Sequence, residues 1–224
     1  IGYLCYIGGN DSMDTVDKLS RYAKEHNIDI AVVGAPKTID NDLAGTDHTP
    51  GFGSAARFVA SSVKEVARDS GVYAEKSITI IEIMGRNAGW LTASSSLARS
   101  ENSSAPHLIY LPERPVSREK IIEDIKNCKE NNIIIAVSEG IKDENGEYYC
   151  AQATQSHDIF GHAQLAGCAK VLEKFLGDEF GYKMRSVELS VLQRCGGHFT
   201  SLTDLDESER IGKSAALAAA KGKR

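Results

Sequence analysis

The stretch IDIAVVGAPKTIDNDL, residues 28–43, decides the fold. Its first half is an apolar run of the kind a buried strand carries. Its second half breaks at Pro36 into a loop holding Lys37, Thr38, Asp40, Asn41 and Asp42. Such a cluster is costly to bury and has no evident packing use. In an open α/β sheet the carboxyl ends of the strands are where ligands bind. The stretch therefore reads as a strand that delivers a polar cluster to a binding crevice.

Working outward, apolar runs at 3–7, 78–84, 108–111, 133–137 and 187–192 join 28–33 as expected strands, and amphipathic patterns at 13–26, 52–70, 91–98, 118–131, 162–180 and 205–220 as expected helices. Ser117 is placed to cap the helix at 118, although Lys120 stands where a capping box has its acid. The alternation is the signature of βαβ units around a mainly parallel sheet. The segment 142–156 is polar around DENGEYY and is expected to hold a surface turn. No internal repeat, low-complexity segment or Pro-rich linker is present.

A net charge of −5 and a pI near 5.7 argue against a general affinity for nucleic acid or for an anionic membrane. No apolar run approaches the length that crosses a bilayer, and the N-terminus lacks the layout of a signal peptide. Cysteines 5, 128, 150, 168 and 195 are odd in number, scattered and without metal-ligand spacing, as in a cytoplasmic protein with reduced thiols. The chain opens on Ile1 and enters a strand at once, so a piece of a longer protein is expected.

The stretch YIGGNDSMDT, residues 6–15, puts Gly8-Gly9 between a strand and a helix. Paired glycines there let backbone amides approach a phosphate at a helix N-terminus; the alternative is a tight turn with Ser12 as N-cap. Asp40 and Asp42, two apart in an irregular loop, suit a general base with a supporting acid; the alternative is an Asx-turn and a cap. In IEIMGRNAGWLT, residues 81–92, Arg86 follows a strand end and offers a donor fork to an oxygen-rich transferring group, unless it is a surface arginine. Trp90 is expected in the core. Glu139, ending the strand IAVSEG, suits sugar hydroxyls, and Arg185 and Arg194, taken as the two ends of one strand, suit an anion. His157, Asp158 and His162 match no helical metal-ligand pair.

In chain order GGNDS, PKTIDNDLAGTD, MGRNAGWLT, SEG and MRSVELSVLQR resemble the phosphofructokinase family, over residues 7 to 194. The resemblance implies an α/β fold of two doubly wound, mainly parallel-sheet lobes with the active site in the cleft. Residues 1–52 with 198–224 would form a partial phosphate-donor lobe and 53–197 the fructose 6-phosphate lobe. It implies phosphoryl transfer to O1 of fructose 6-phosphate. Asp40 would be the base, Asp42 its assisting acid, and Arg86 the group stabilising the transferred phosphoryl. Thr38, Met84, Gly85 and Glu139 would hold the sugar, and Arg185 and Arg194 its 6-phosphate, the former across a subunit interface in a dimer or tetramer. Gly8, Gly9, Asp11, Ser12 and Lys37 would line the donor site. Positioning and electrostatic stabilisation of spread negative charge are what phosphoryl transfer requires.

Departures from the family pattern bear on the donor. Asp11 and Lys37 stand where ATP-dependent members typically carry glycines. Asp11 adds bulk and negative charge against a nucleotide, and Lys37 adds an ammonium for a bare diphosphate, so the pair resembles the diphosphate-dependent branch. Asn10 stands where the family usually has a magnesium-binding acid, so the Mg²⁺ contact is weakened, or passes to Asp11 or to water. The family's N-terminal phosphate loop and C-terminal part are not in the sequence, so a core segment of the enzyme is expected. The rivals are an ATP-dependent enzyme, a non-catalytic or regulatory segment keeping the fold, and a distant kinase sharing only the glycine turn.

Overall fold

The computed structural model describes residues 2–150 and 167–222. They fall into two compact units, 1–54 with 197–224, and 55–196.

In the first unit β1 (Tyr3–Gly8) and β2 (Ala31–Pro36) pair in parallel, Tyr3 opposite Ala31 and Gly8 opposite Pro36. Helix α1 (Asn10–Glu25) is the crossover between them and α7 (Leu202–Ala220) packs on the same two strands. The α1 side chains approach so closely that a Cβ at Gly34 would lie 2.7 Å from Met13 Sδ. Strand β2 starts at 31 rather than 28 because residues 26–30 are used in leaving α1. Asn27 takes a left-handed φ of 51°, and the Ile28 N–H donates back to the Ala23 carbonyl.

The second unit holds an all-parallel sheet of β3 (Ser77–Ile83), β4 (Leu108–Tyr110), β5 (Asn132–Ser138) and β6 (Lys183–Glu188), in the order β4-β5-β3-β6. Every residue of β3 is buried, which explains why SITIIEI is a nearly continuous apolar run rather than an alternating one. One core cluster gathers Ile78, Ile80, Ile133, Ile135 and Val137 with Ile121 and Ile125 of α4 (Arg118–Asn127) and Leu172 and Leu176 of α5 (Cys168–Phe180). Ile81, Ile83 and Ile134 are buried as well. Each such side chain contributes roughly 1.5–3 kcal/mol. Helix α2 (Phe52–Ser70) buries Val59 and Val63 on one stripe.

The last expected strand, 187–192, is displaced. The ladder takes the polar run Lys183–Glu188, because β6 is an edge strand and needs fewer apolar residues. The apolar run beyond it turns at Ser190, φ 43°, into the short helix α6 (Leu192–Cys195). Trp90 is 59% exposed, not core, because it opens α3 (Trp90–Ser94) while Leu91, Thr92 and Ser94 of that helix turn inward. Helix α4 stops at Asn127, short of the expected 131, where Cys128 becomes extended. Ser117 caps it, accepting the Lys120 N–H at 3.1 Å. In the polar segment from 142, Asp143 Oδ1 accepts the N–H groups of Asn145 and Glu147 and Gly146 has a φ of 82°, which builds the turn. Positions 151–156, His157, Asp158 and His162 lie outside the described residues. Among the described residues no helix is long and apolar enough to cross a membrane.

Candidate active site

The expected site residues divide between the units. In the first, the glycine turn is built by contact. A Cβ at Gly8 would sit 2.0 Å from Ser12 Oγ, so only glycine lets the first turn of α1 fold back over the strand end. Gly9 is the N-cap and supplies no side-chain acceptor, so Asn10, Asp11 and Ser12 are the first three helical residues and Ser12 is not the cap. The helix end they form is partly positive, with Asp11 in its first turn.

The loop after β2 comes alongside this turn. The Lys37 N–H donates to the Gly8 carbonyl at 3.0 Å, and a Cβ at Gly9 would lie 3.6 Å from Thr38 Cβ. Asn10 Nδ2 donates to Asp42 Oδ2 at 2.9 Å. Glycine turn, Lys37, Thr38 and Asp42 are thus one constellation at the carboxyl ends of β1 and β2. Burial raises the Asp42 carboxyl above its ordinary value; its own backbone N–H and the Asn10 amide oppose the rise, and the charge of Asp11 adds to it.

The loop keeps its shape through Asn41, Thr49 and Asp204. Asn41 adopts a left-handed φ of 55°, which asparagine tolerates. Its Oδ1 accepts the Thr49 N–H at 2.8 Å, while Thr49 Oγ1 donates to the Thr38 carbonyl at 2.7 Å. Thr38 Oγ1 accepts the Asp40 N–H at 3.2 Å, which leaves the hydroxyl hydrogen to point elsewhere. Asp204 of α7 then anchors the end of the loop. It accepts the Gly51 N–H at 2.9 Å and the Ser54 N–H at 2.6 Å, capping α2, whose first turn has no acid of its own. Burial alone would raise the Asp204 carboxyl, but the donors from Ser54, Gly51 and Ser201 outweigh it and hold it below its ordinary value. His48 Nδ1 lies 2.5 Å from Glu207 Oε2, and His48, Asp204 and Glu207 have one ligand atom each within 4.8 Å of one another. With Asp204 committed to the end of α2, this trio acts as a clamp between loop and helix. The signal for Asp204 was Ser201 three residues before it, a capping pattern; that it also serves a helix 150 residues earlier is invisible in sequence.

In the second unit, the ends of β3 and β5 carry the other residues. Gly85 has a φ of 130°, and its carbonyl accepts Ser138 Oγ at 2.6 Å while its N–H donates to Glu139 Oε1 at 3.2 Å. A Cβ at Gly140 would lie 1.9 Å from the Arg86 carbonyl oxygen, so the two loops are in backbone contact. Met84, Gly85, Arg86 and Glu139 are therefore neighbours. The Met84 N–H is held by the buried Gln193 at 3.2 Å, and a cavity of about 80 Å³ is lined by Met84, Glu139, Glu82, Glu188 and Gln193. Glu82, inside the apolar strand β3, accepts the N–H groups of Gly167 at 3.2 Å and Ala169 at 2.8 Å and so caps α5. Burial raises its carboxyl and the charge of Glu188 adds to that, against the donors from α5. An acid within a buried run was the sequence signal for it.

Arg185 and Arg194 do not bound one strand. Arg194 lies exposed in α6. Arg185 sits within β6 opposite Thr79, four residues, or roughly 13 Å, before Ile83 at the carboxyl end of β3. Its guanidinium meets Asp69 at 2.5 Å, so it is removed from the Met84–Glu139 group of its own unit.

Set against known proteins, the sequence profile of the family described as Phosphofructokinase matches residues 1–190. The chain is 42% identical to the pyrophosphate–fructose 6-phosphate 1-phosphotransferase of Xanthomonas campestris pv. campestris, over 99% of this chain and 54% of that protein. It is 35% identical to the sulfofructose kinase of Alkalicoccus urumqiensis, over 95% of this chain and 55% of that one. Among solved structures, the pyrophosphate-dependent phosphofructokinase of Nitrosospira multiformis superposes with a TM-score of 0.83 at 31% identity, covering 100% of this chain and 53% of its own. The chain spans about half the length of the curated relatives it matches. With five motifs in order, the parallel α/β units that carry them and a profile running through both, the chain belongs to the phosphofructokinase family.

Proposed function

We propose that this chain carries the reacting core of a diphosphate-dependent 6-phosphofructokinase, which transfers a phosphoryl group to O1 of fructose 6-phosphate. The observation that carries the reading is the constellation in the first unit. Asp11 and Lys37 stand exposed at the ends of the paired strands β1 and β2, with Asp42 bonded to the same helix turn. The donor diphosphate lies against the Gly8-Gly9 turn and the start of α1, with Ser12 beside it and Lys37 neutralising its charge. Asp40 takes the proton from the O1 hydroxyl as that oxygen attacks phosphorus, and Asp42 supports it. In the second unit Glu139 and the Met84-Gly85 backbone hold the sugar, Arg86 offsets charge on the transferring group, and Arg194 binds the 6-phosphate. Arg185 serves a neighbouring copy in a homo-oligomer, from its place on the edge strand β6.

The donor set near the glycine turn is all oxygen, the chemistry that suits Mg²⁺. Asp11 would hold the ion with water and the diphosphate, and the bound ion supplies charge neutralisation of the diphosphate oxygens. The names of the relatives support this reading, and the cytoplasm, where sugar phosphates are turned over, is the compartment that fits it.

The test is product identity. The intact enzyme, given fructose 6-phosphate, diphosphate and Mg²⁺, should yield one new phosphomonoester at C1 and one phosphate per turnover by ³¹P NMR. No product contradicts the catalytic reading in favour of a regulatory one. Faster turnover of sulfofructose than of fructose 6-phosphate contradicts the acceptor.

A further inference from the structure

A side-chain hydrogen bond crosses from α1 to the loop after β2. Asn10 Nδ2 donates to Asp42 Oδ2 at 2.9 Å, between positions 32 apart in sequence. The bond depends on chemical type as well as on place. An amide nitrogen only donates and an ionised carboxylate only accepts, so an acid at position 10 could not make it. An acid there would also add a further negative charge beside Asp11 and Asp42. The remaining freedom of the loop is restricted by Asn41 and Thr49, on either side of Asp42 in the chain. These bonds fix the backbone, and the Asn10 amide holds the direction of the Asp42 carboxylate from another element. A hydrogen bond to a charged group is about twice as strong as one between neutral groups.

We propose that Asn10 is a positioning residue for Asp42: its amide holds the carboxylate in its working orientation, and it takes no part in holding the metal ion. The proposal rests on the phosphoryl-transfer reading above. It assigns the position a task that an acid there could not perform, since a carboxylate can ligate a cation but cannot donate to Asp42. A ligand should be replaceable by aspartate with gain, whereas a donor should not.

Two variants of the intact enzyme separate these demands. Asn10→Asp keeps the shape and improves the side chain as a metal ligand but removes the donor. Asn10→Ala removes both functions. Position 10 is exposed at the start of a helix, so both variants should fold, as thermal melting would verify. Mn²⁺ serves as the probe ion, with free Mn²⁺ read by its paramagnetic resonance signal, and kcat and KM are measured at saturating Mg²⁺. The expected result is a fall in kcat of roughly 10- to 100-fold in both variants, the size set by losing a bond to a charged group. The KM for fructose 6-phosphate should stay within about twofold, and Mn²⁺ affinity should be unchanged in Asn10→Ala and unchanged or tighter in Asn10→Asp. An Asn10→Asp enzyme with wild-type kcat, or a tenfold loss of Mn²⁺ affinity in Asn10→Ala, would overturn the proposal. If the wild-type enzyme does not phosphorylate fructose 6-phosphate at all, the functional reading fails instead. The Mn²⁺ measurement then still decides whether Asn10 is a ligand.

Discussion

The two units hold their polar loops by different means. In the first, a two-stranded sheet leaves Tyr3 and Ile7 exposed at 58% and 66%, and the loop bearing Asp40 and Asp42 is framed by side-chain hydrogen bonds from Asn41, Thr49 and Asp204. In the second, a four-stranded sheet with a fully buried central strand ends in loops that touch backbone to backbone at Gly140 and Arg86. Even their shared device differs. Each unit uses a carboxylate to cap a helix remote in sequence, but Asp204 is held below its ordinary pKa by many donors while Glu82 is raised by burial. The difference teaches a division of labour. The groups proposed for proton transfer and donor binding sit on a loop framed by side-chain hydrogen bonds. The groups proposed to hold the sugar sit on a packed frame.

The largest test of that division is chemical. Asp40→Asn in the intact enzyme should lower kcat about 10²–10⁴-fold with little change in the KM for fructose 6-phosphate, as for loss of a general base. More than about a tenth of wild-type kcat would remove Asp40 from the role. Next comes the packed frame. Gly140→Ala must displace the Arg86 backbone, since the new Cβ would lie 1.9 Å from its carbonyl oxygen. A displacement near 1 Å is expected to cost roughly 10²-fold in kcat/KM. The polar frame should tolerate Thr49→Ser, which keeps the hydroxyl that donates to Thr38. Equal tolerance at both positions would erase the contrast. Smaller again, Arg194→Ala should raise the sugar phosphate KM about 10- to 100-fold, for a charge-assisted contact of roughly 1.5–3 kcal/mol. An unchanged KM would make Arg194 structural.

The smallest effects concern the two caps, and here the signs oppose. Asp204→Asn and Glu82→Gln should each cost about 1–3 kcal/mol of stability through donors left poorly matched, but with different pH dependence. The Asp204 carboxyl is depressed in the fold. Its contribution is present above the ordinary value of 3.8 and is lost as pH falls through the lower folded value. The advantage of wild type over Asp204→Asn should therefore shrink on acidification. The Glu82 carboxyl is raised. Between 4.5 and its folded value the native state binds more protons than the unfolded chain, so wild-type stability falls as pH rises there. Its advantage over Glu82→Gln should shrink on going alkaline through that window. Denaturant unfolding at a series of pH values reads both, and parallel slopes would refute the contrast between the caps.

Much of this architecture is legible in the sequence, for physical reasons that also explain the gaps. Helix α2 falls at 52–70 as expected, because its apolar stripe is regular and it begins just past Pro50 and Gly51. The buried strands β3 and β5 declare themselves by apolar runs too dense for any exposed element. The strand β6 is misplaced by about four residues because an edge strand can be polar, and its apolar neighbours are used in a turn and a short helix. Trp90 misleads because hydrophobicity fixes a preference and the helix phase decides the direction. At the candidate site the loops are legible because glycines and charged residues cluster where dense apolar strands end. Asp204 and Glu82 escape because their partners lie 150 and 85 or more positions away.

The central claim is that Asp11 and Lys37 fit the site to bare diphosphate. It is tested most directly by kcat/KM for diphosphate and for ATP, measured on one preparation of the intact enzyme at saturating fructose 6-phosphate and Mg²⁺. Specificity is a difference of two affinities, to which the repulsive Asp11 and the attractive Lys37 both contribute. The predicted result is a preference for diphosphate of at least about 10²-fold, the effect of roughly 3 kcal/mol divided between the two side chains. A kcat/KM for ATP equal to or above that for diphosphate would contradict the account.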